Sequence, residues 1–287
     1  MEPLQLRAYA KINLGLDVLR KREDGYHEVK MIMQTVGIYD ILTFEKAESG
    51  IHVTVNKSEL PVNEDNLIYK SAAAFQKKYN ISEGVSIHLE KNIPIAAGMA
   101  GGSTDAAATF KAMNSLFGVG ASLEELQEMA VSIGADVPYC LMGGTALAEG
   151  IGEKLTALPD APNCYLVVAK PDIDVSTAFV YGNLKADQLK EHPDIDGMVQ
   201  AIQSRRLEGI IERLGNVLET VTVPAYPVIG QIKDELKADG ADGVLMSGSG
   251  PTVFGIFVDV QKAEKAFKGL KEGKLAKQVF LTQFVPG

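Results

Sequence analysis

The order in which two periodicities appear along the chain limits the architecture most. "LQLRAYAKINLGLDVL" alternates apolar and polar residues around Ile12, Leu14, Leu16 and Val18, the period of two that marks a strand. After the turn "REDGY", the runs "VKMIMQTVGIYDILTFEKA" and "IHVTVN" continue in the same β-rich manner. The helical period enters only with "DNLIYKSAAAFQKKY", which starts at an Asp or Asn cap and sets Leu67, Ala74 and Phe75 on one side. A short strand, "GVSIHLEKNIP", ends at Pro94. Ala106, Phe110, Met113 and Phe117 then recur at helical spacing. Ser122 and Glu125 form a capping-box signature for a helix that stops at Gly134. The Pro-rich "LPDAPN" (158–163) reads as a linker before the fresh strand "CYLVVAKP". Helices follow over "IDGMVQAIQ", "RLEGIIERLGNVLETV" and "YPVIGQIKDELKADG". A strand pair "GVLMSGSGPTVFGIF", a helix "KAEKAFKGLK" and a last strand "AKQVFLTQF" complete the chain. Strands and helices without strict βα alternation predict an α+β chain, divided into domains 1–160 and 161–287.

Composition narrows the partners. Of the 287 residues 46% are hydrophobic, enough for two cores, and the formal charge is -9. An acidic surface repels a phosphate backbone, so a nucleic-acid partner is not expected, although one cleft can still be basic. "MEPLQLRAYA" lacks the basic and apolar regions of a secretory signal, and no apolar run reaches the length of a membrane span. Cys140 and Cys164 match no zinc or redox spacing. A cytoplasmic protein with reduced thiols, monomeric or homodimeric, is the expectation.

Two glycine-rich stretches stand out. "GMAGGST" (98–104) lies between a strand and a helix, where unpaired N–H groups and the helix dipole favour an anion. Glycines allow the backbone to curl close to it. Ser103 and Thr104 are placed to cap the helix, touch phosphate or help hold Mg²⁺. The string is neither a Walker A loop nor a dinucleotide fingerprint, and a structural link explains it equally well. "MSGSGPT" (246–252) joins two apolar strands, as a hairpin would; the two loops could also close on one ligand.

Polar residues interrupt the first strand. Lys11 and Asn13 share a face because they are two apart, although a single lysine on a strand usually faces solvent. Tyr26 and His27 follow the "DG" turn, where a histidine is ordinarily a surface or capping residue. In "GADVPYC", Asp136 either caps the next turn or, if buried, needs a cation, for which Lys11 is the candidate.

Taken in order, "AKINLGLDVLRKREDGYHEV", "IPIAAGMAGGSTDAAA", "GADVPYC" and "SGSGPTVFGIF" resemble the GHMP kinase superfamily over nearly the whole chain. Its members include galactokinase, homoserine kinase, mevalonate kinase and phosphomevalonate kinase. The resemblance implies an N-terminal domain like ribosomal protein S5 domain 2 and a ferredoxin-like C-terminal domain. "AKINLGL" followed by "DGYHEV" marks the members that phosphorylate the 2-hydroxyl of a cytidyl-diphosphate alcohol with ATP and Mg²⁺. By that resemblance Asp136 is the catalytic base and Lys11 the lysine that orients it. Pro94, Ile95, Ala96, Ala97, Gly98, Met99, Ala100, Gly101, Gly102, Ser103 and Thr104 wrap the ATP phosphates, and Asn66 helps with adenine. Tyr26 and Tyr181 sandwich the cytosine, His27 hydrogen-bonds it, and Asn13 touches the substrate. No protein metal ligand is implied. The family loop usually carries Leu where Met99 stands, a change that preserves volume.

Overall fold

The computed structural model describes residues 2–287. Strands β1 (Leu4–Lys21), β2 (His27–Ala47) and β3 (Ile51–Val55) lead into helix α1 (Leu67–Tyr79) and strand β4 (Gly84–Glu90). Helices α2 (Gly101–Leu116), α3 (Leu123–Val131) and α4 (Val137–Met142) precede strands β5 (Thr145–Gly150), β6 (Lys154–Leu158) and β7 (Tyr165–Lys170). Next come α5 (Thr177–Asn183), α6 (Ile195–Gln203), α7 (Leu207–Ile211), β8 (Gly215–Asn216), α8 (Glu219–Ala225) and α9 (Pro227–Ala238). Strands β9 (Gly243–Met246) and β10 (Val253–Phe257), helix α10 (Val260–Glu272) and strand β11 (Gln278–Gln283) follow.

Contacts divide the chain into two compact units that interleave along it. The first holds the chain up to Ala10, Ile38–Ile93 and Ala100–Met142; the second holds Lys11–Gly37, Pro94–Met99 and Gly143–Gly287. In the first, β4 pairs antiparallel with residues 41–47 of β2 and parallel with β3. Helix α1 packs on α2, and α4 on α2 and α3. Their common core contains Phe44, Ile68, Phe75, Ile87, Phe110 and Met113. In α1 the buried line is Ile68, Ser71, Ala72 and Phe75. Leu67 and Ala74, expected on that line, are only half-buried, because the stripe is turned by one residue.

In the second unit, residues 29–34 of β2 pair antiparallel with β5, which pairs with β6. A second sheet has the order β11-β7-β10-β9, antiparallel throughout. Helices α9 and α10 pack on it, and all five residues of β10 are buried. Cys164 is buried, which pushes its thiol up to about 12; neither cysteine is in a disulfide.

The helix expected over "RLEGIIERLGNVLETV" is broken. Gly215 and Asn216 form β8, parallel to Gly15 and Leu16 of β1. The Asn216 side chain donates to Met246 O and Gly248 O, both at 2.8 Å, and accepts from Leu218 N at 3.0 Å. Two tertiary hydrogen bonds and one local one at a single buried asparagine outweigh a helical pattern in which Gly and Asn are weak members.

Candidate active site

The loop before α2 is shaped by its backbone. Ala96, Gly98 and Ala100 all have positive φ, at 50°, 67° and 56°. Left-handed residues at alternate positions turn successive N–H groups towards one side, the concavity that receives anions. Two alanines held there carry strain of the kind found at ligand-binding loops. Gly98 has a second constraint: a Cβ on it would lie 2.4 Å from Ser247 O. Pro94, Ala97 and Met99 are buried, while Ile95 and Ala96 are exposed.

Helix α2 begins earlier than the spacing suggested, at Gly101, so Gly101, Gly102, Ser103 and Thr104 form its first turn. Its N-cap, Ala100, makes no side-chain cap hydrogen bond, whereas Asn66, Ser122 and Asp194 cap α1, α3 and α6. The capping role considered for Ser103 and Thr104 is therefore not what they do. Thr104 donates its hydroxyl to Tyr9 O at 2.7 Å, and Ser103 is half-buried. A 16-residue helix whose N-cap makes no side-chain hydrogen bond among the described residues suits a phosphate.

A buried ion cluster underlies this turn. Lys91 Nζ donates to Asp40 Oδ2 and Asp105 Oδ2, each at 2.6 Å. Asp40 Oδ1 also accepts from the N–H groups of Asn92 (2.6 Å) and Ile93 (2.8 Å), so it fixes the approach to the loop. A Cβ on Gly101 would come 2.9 Å from Lys91 Nζ. Burial, joined by the charge of Asp40, pushes the Asp105 carboxyl well above the usual carboxylate range, against the pull of Lys91. Its Oδ1 is a buried oxygen without a hydrogen-bond partner among the described residues. Sequence reasoning missed this cluster; the available signal was an aspartate directly beside the apolar stripe that starts at Ala106.

On β1, Lys11 is buried at 5% exposure and Asn13 at 0%, contrary to the usual solvent-facing lysine. Lys11 Nζ donates to Asn13 Oδ1 at 2.9 Å, and Asn13 Nδ2 lies 3.3 Å from Met31 Sδ. The two residues share a face of the strand, as their spacing required. Lys11 N donates to Met99 O at 3.2 Å, which ties this strand to the loop residues of its own unit. Asp136, in the first unit, is half-buried at the turn into α4, and its carbonyl accepts from Cys140 N at 3.0 Å. Asn66 uses both amide atoms locally, accepting from Ile68 N at 2.9 Å and donating to Pro61 O at 2.7 Å.

The two glycine-rich stretches meet within the second unit. Ser247 Oγ donates to Gly98 O at 3.0 Å, and Ser249 Oγ pairs with Thr177 Oγ1, also at 3.0 Å. The "MSGSGPT" segment is thus both the β9–β10 hairpin and a brace for Gly98.

The "DG" turn carries the aromatic residues. Asp24 accepts from Tyr26 N at 3.1 Å, and the Arg22 guanidinium beside Asp24 holds its carboxyl below the usual range. Tyr26 is 61% exposed. His27 and Tyr181, far apart in sequence, have ring centroids 5.1 Å apart at 44°. Burial, with Lys21 nearby, lowers the pKa of His27 below its ordinary value, so the ring is neutral at neutral pH. A neutral imidazole packed against the Tyr181 ring offers a flat heterocycle a hydrogen bond and an aromatic face.

Comparison with known proteins identifies the family. Residues 66–144 match the family model of the GHMP kinases N terminal domain, and 198–274 that of the GHMP kinases C terminal. The chain is 52% identical to the 4-diphosphocytidyl-2-C-methyl-D-erythritol kinase of Lachnoclostridium phytofermentans, over 99% of this chain and 98% of that one. It is also 52% identical to the enzyme of the same name from Lachnospira eligens, over all of both chains. A crystal structure of 4-(cytidine 5'-diphospho)-2C-methyl-D-erythritol kinase superposes with a TM-score of 0.85 at 32% identity, covering 99% of this chain and 100% of that one. Homoserine kinase from Cytophaga hutchinsonii, at 21% identity and a TM-score of 0.79, shares the fold, over 100% of this chain and 95% of its own. With both family models matched and full-length relatives at this identity, the chain belongs to the GHMP kinases.

Proposed function

We propose that the chain phosphorylates the 2-hydroxyl of 4-diphosphocytidyl-2-C-methyl-D-erythritol with ATP. The observation that carries the substrate is the His27–Tyr181 ring pair next to exposed Tyr26. A kinase of homoserine or a mevalonate-type acid has no use for such a clamp, and the relatives at 52% identity bear the corresponding name.

ATP supplies the phosphoryl group, and the chain's task is to position it and to neutralise charge. The N–H groups of the loop 94–104 hold the phosphates. Ser103 offers a hard hydroxyl oxygen of the type Mg²⁺ accepts when most of its ligands are phosphate and water. Asp136 takes the proton of the acceptor hydroxyl. Lys11, held by Asn13, supplies positive charge for the developing alkoxide. Asn13 also faces the substrate. Asn66 acts at the adenine side by fixing the start of α1, since its own amide is engaged.

A coupled ADP-release assay comparing the cytidyl-diphosphate alcohol with homoserine and mevalonate tests the reading; faster turnover of either acid would refute it. Asp136→Asn is expected to lower kcat by about 100-fold or more, with both KM values nearly unchanged. Parental kcat in that variant would remove Asp136 as the base.

A further inference from the structure

Asp17 continues the face of β1 that begins with Lys11, Asn13 and Gly15, since all four are two apart. It is 5% exposed, yet it has no part in the chemistry above. Its carboxylate accepts from His192 Nδ1, at 2.8 Å to Oδ1 and 3.0 Å to Oδ2. His192 belongs to the segment between α5 and α6, immediately before a group of close contacts. A Cβ on Gly15 would lie 2.6 Å from Ile195 Cδ1, and one on Gly215 would lie 2.9 Å from Pro193 Cβ. Lys30 Nζ of β2 donates to Asp196 Oδ1 at 2.6 Å. The start of α6 is therefore seated directly on this face of β1. All of these residues belong to the second unit.

The other end of the segment is α5, which carries Tyr181 against His27. Its first turn is held by Thr177 to Ser249, and its last turn runs into the strap that ends at His192. Tyr181 thus lies between two anchors, a hydroxyl pair on one side and an imidazole–carboxylate pair on the other.

We infer that His192 and Asp17 are a positioning pair: their hydrogen bonds fix the strap on the substrate strand and thereby set Tyr181 against the base. Neither touches the reacting atoms. The inference rests on the cytidyl-alcohol reading, because Tyr181 matters to binding only if a heterocycle is bound there. It goes beyond that reading by assigning substrate affinity to two residues outside the clamp.

The test is steady-state kinetics in which KM for the cytidyl alcohol, KM for ATP and kcat are separated. His192→Ala is expected to raise KM for the alcohol about tenfold, with kcat and KM for ATP within about twofold of the parent. His192→Asn keeps an N–H donor where Nδ1 stands and should restore KM to within about threefold of the parent. Because His192→Ala leaves the Asp17 carboxylate buried without its donor, the double variant Asp17→Asn/His192→Ala serves if the single one does not fold. It should show the same KM rise. An unchanged KM in His192→Ala, a parallel loss of kcat and ATP binding, or no rescue by Asn would each overturn the inference. A parent that leaves the cytidyl alcohol untouched overturns the functional reading and this inference with it. Turnover by the parent, matched by His192→Ala, overturns this inference alone.

Discussion

Gly98 has Ser247 O where its Cβ would be, at 2.4 Å, whereas Tyr26 leaves 61% of its surface in solvent. The proposed phosphate loop and the proposed base clamp are thus built differently. The loop is specified by backbone: three left-handed residues, an uncapped helix start and a buried Lys91–Asp40–Asp105 cluster beneath it. The clamp consists of side chains on a surface turn and a seven-residue helix. Triphosphate is the same in every kinase reaction, so a rigid cradle loses nothing. The acceptor differs from one family member to the next, and a clamp of one exposed and two half-buried rings can change without disturbing a core. Substitutions in the loop should therefore cost folding stability, and those in the clamp should cost substrate binding alone.

The largest effect is expected at the cluster. Lys91→Met strands two buried carboxyls and should lose about 3–5 kcal/mol in a denaturant titration. Asp105→Asn should stay within about 1 kcal/mol of the parent, since the burial that raises its pKa already favours a neutral group there. A destabilisation by Asp105→Asn as large as that by Lys91→Met would show that both carboxylates must be charged. Next comes Gly98→Ala, which adds a left-handed non-glycine residue and an overlap with Ser247 O. We expect a loss of about 2–3 kcal/mol with weakened ATP binding. If Gly98→Ala melts with the parent, the loop is not the rigid half of the comparison.

At the clamp the expectation reverses. Tyr26→Ala and Tyr181→Ala should each raise KM for the cytidyl alcohol by about 5–100-fold. Thermal midpoints of the Tyr26 variant should move by less than about 0.5 kcal/mol equivalent. The smallest effect concerns His27. Its pKa is depressed, so the folded chain binds this proton less readily than the unfolded chain does. Any stability linked to His27 is therefore complete above 6.5 and declines as pH falls through its lower folded pKa. A proton NMR titration of the ring should give a midpoint below 6.5; one above that value would place the ring beside net negative charge.

The sequence disclosed what local chemistry decides. Alternation placed β1, β2 and β3, the Ser122–Glu125 capping box placed α3, and the spacing of Lys11 and Asn13 put them on one face. The Gly-rich loop was visible as a candidate anion site, but its left-handed alanines were not, because nothing in an alanine announces positive φ. What stayed hidden depends on partners remote in sequence. Asn216 breaks an otherwise plausible helix for the sake of two carbonyls thirty residues downstream and more. Lys91 draws Asp40 from 51 positions away, and Asp17 finds His192 at a separation of 175. Family resemblance set Tyr181 opposite Tyr26; the His27–Tyr181 ring pair was legible in neither string, since neither carries the other's position.

The interleaving of the two units also sets a timetable for synthesis. Every residue of the first unit has been made once the ribosome passes Met142, whereas the second claims Lys11–Gly37 and then waits. Gly15 and Leu16 find their parallel partners only at Gly215 and Asn216, and Val36 its bridge only at Phe284. At ordinary elongation speeds that is a delay of roughly 10–50 s. During it Lys11, Asn13 and His27 belong to an apolar strand pair whose partners have not yet been translated. The residues assigned to the substrate are thus made well before the partners that complete their sheet. A chaperone that shelters β-rich N-terminal segments should raise the yield of this chain more than one acting after release.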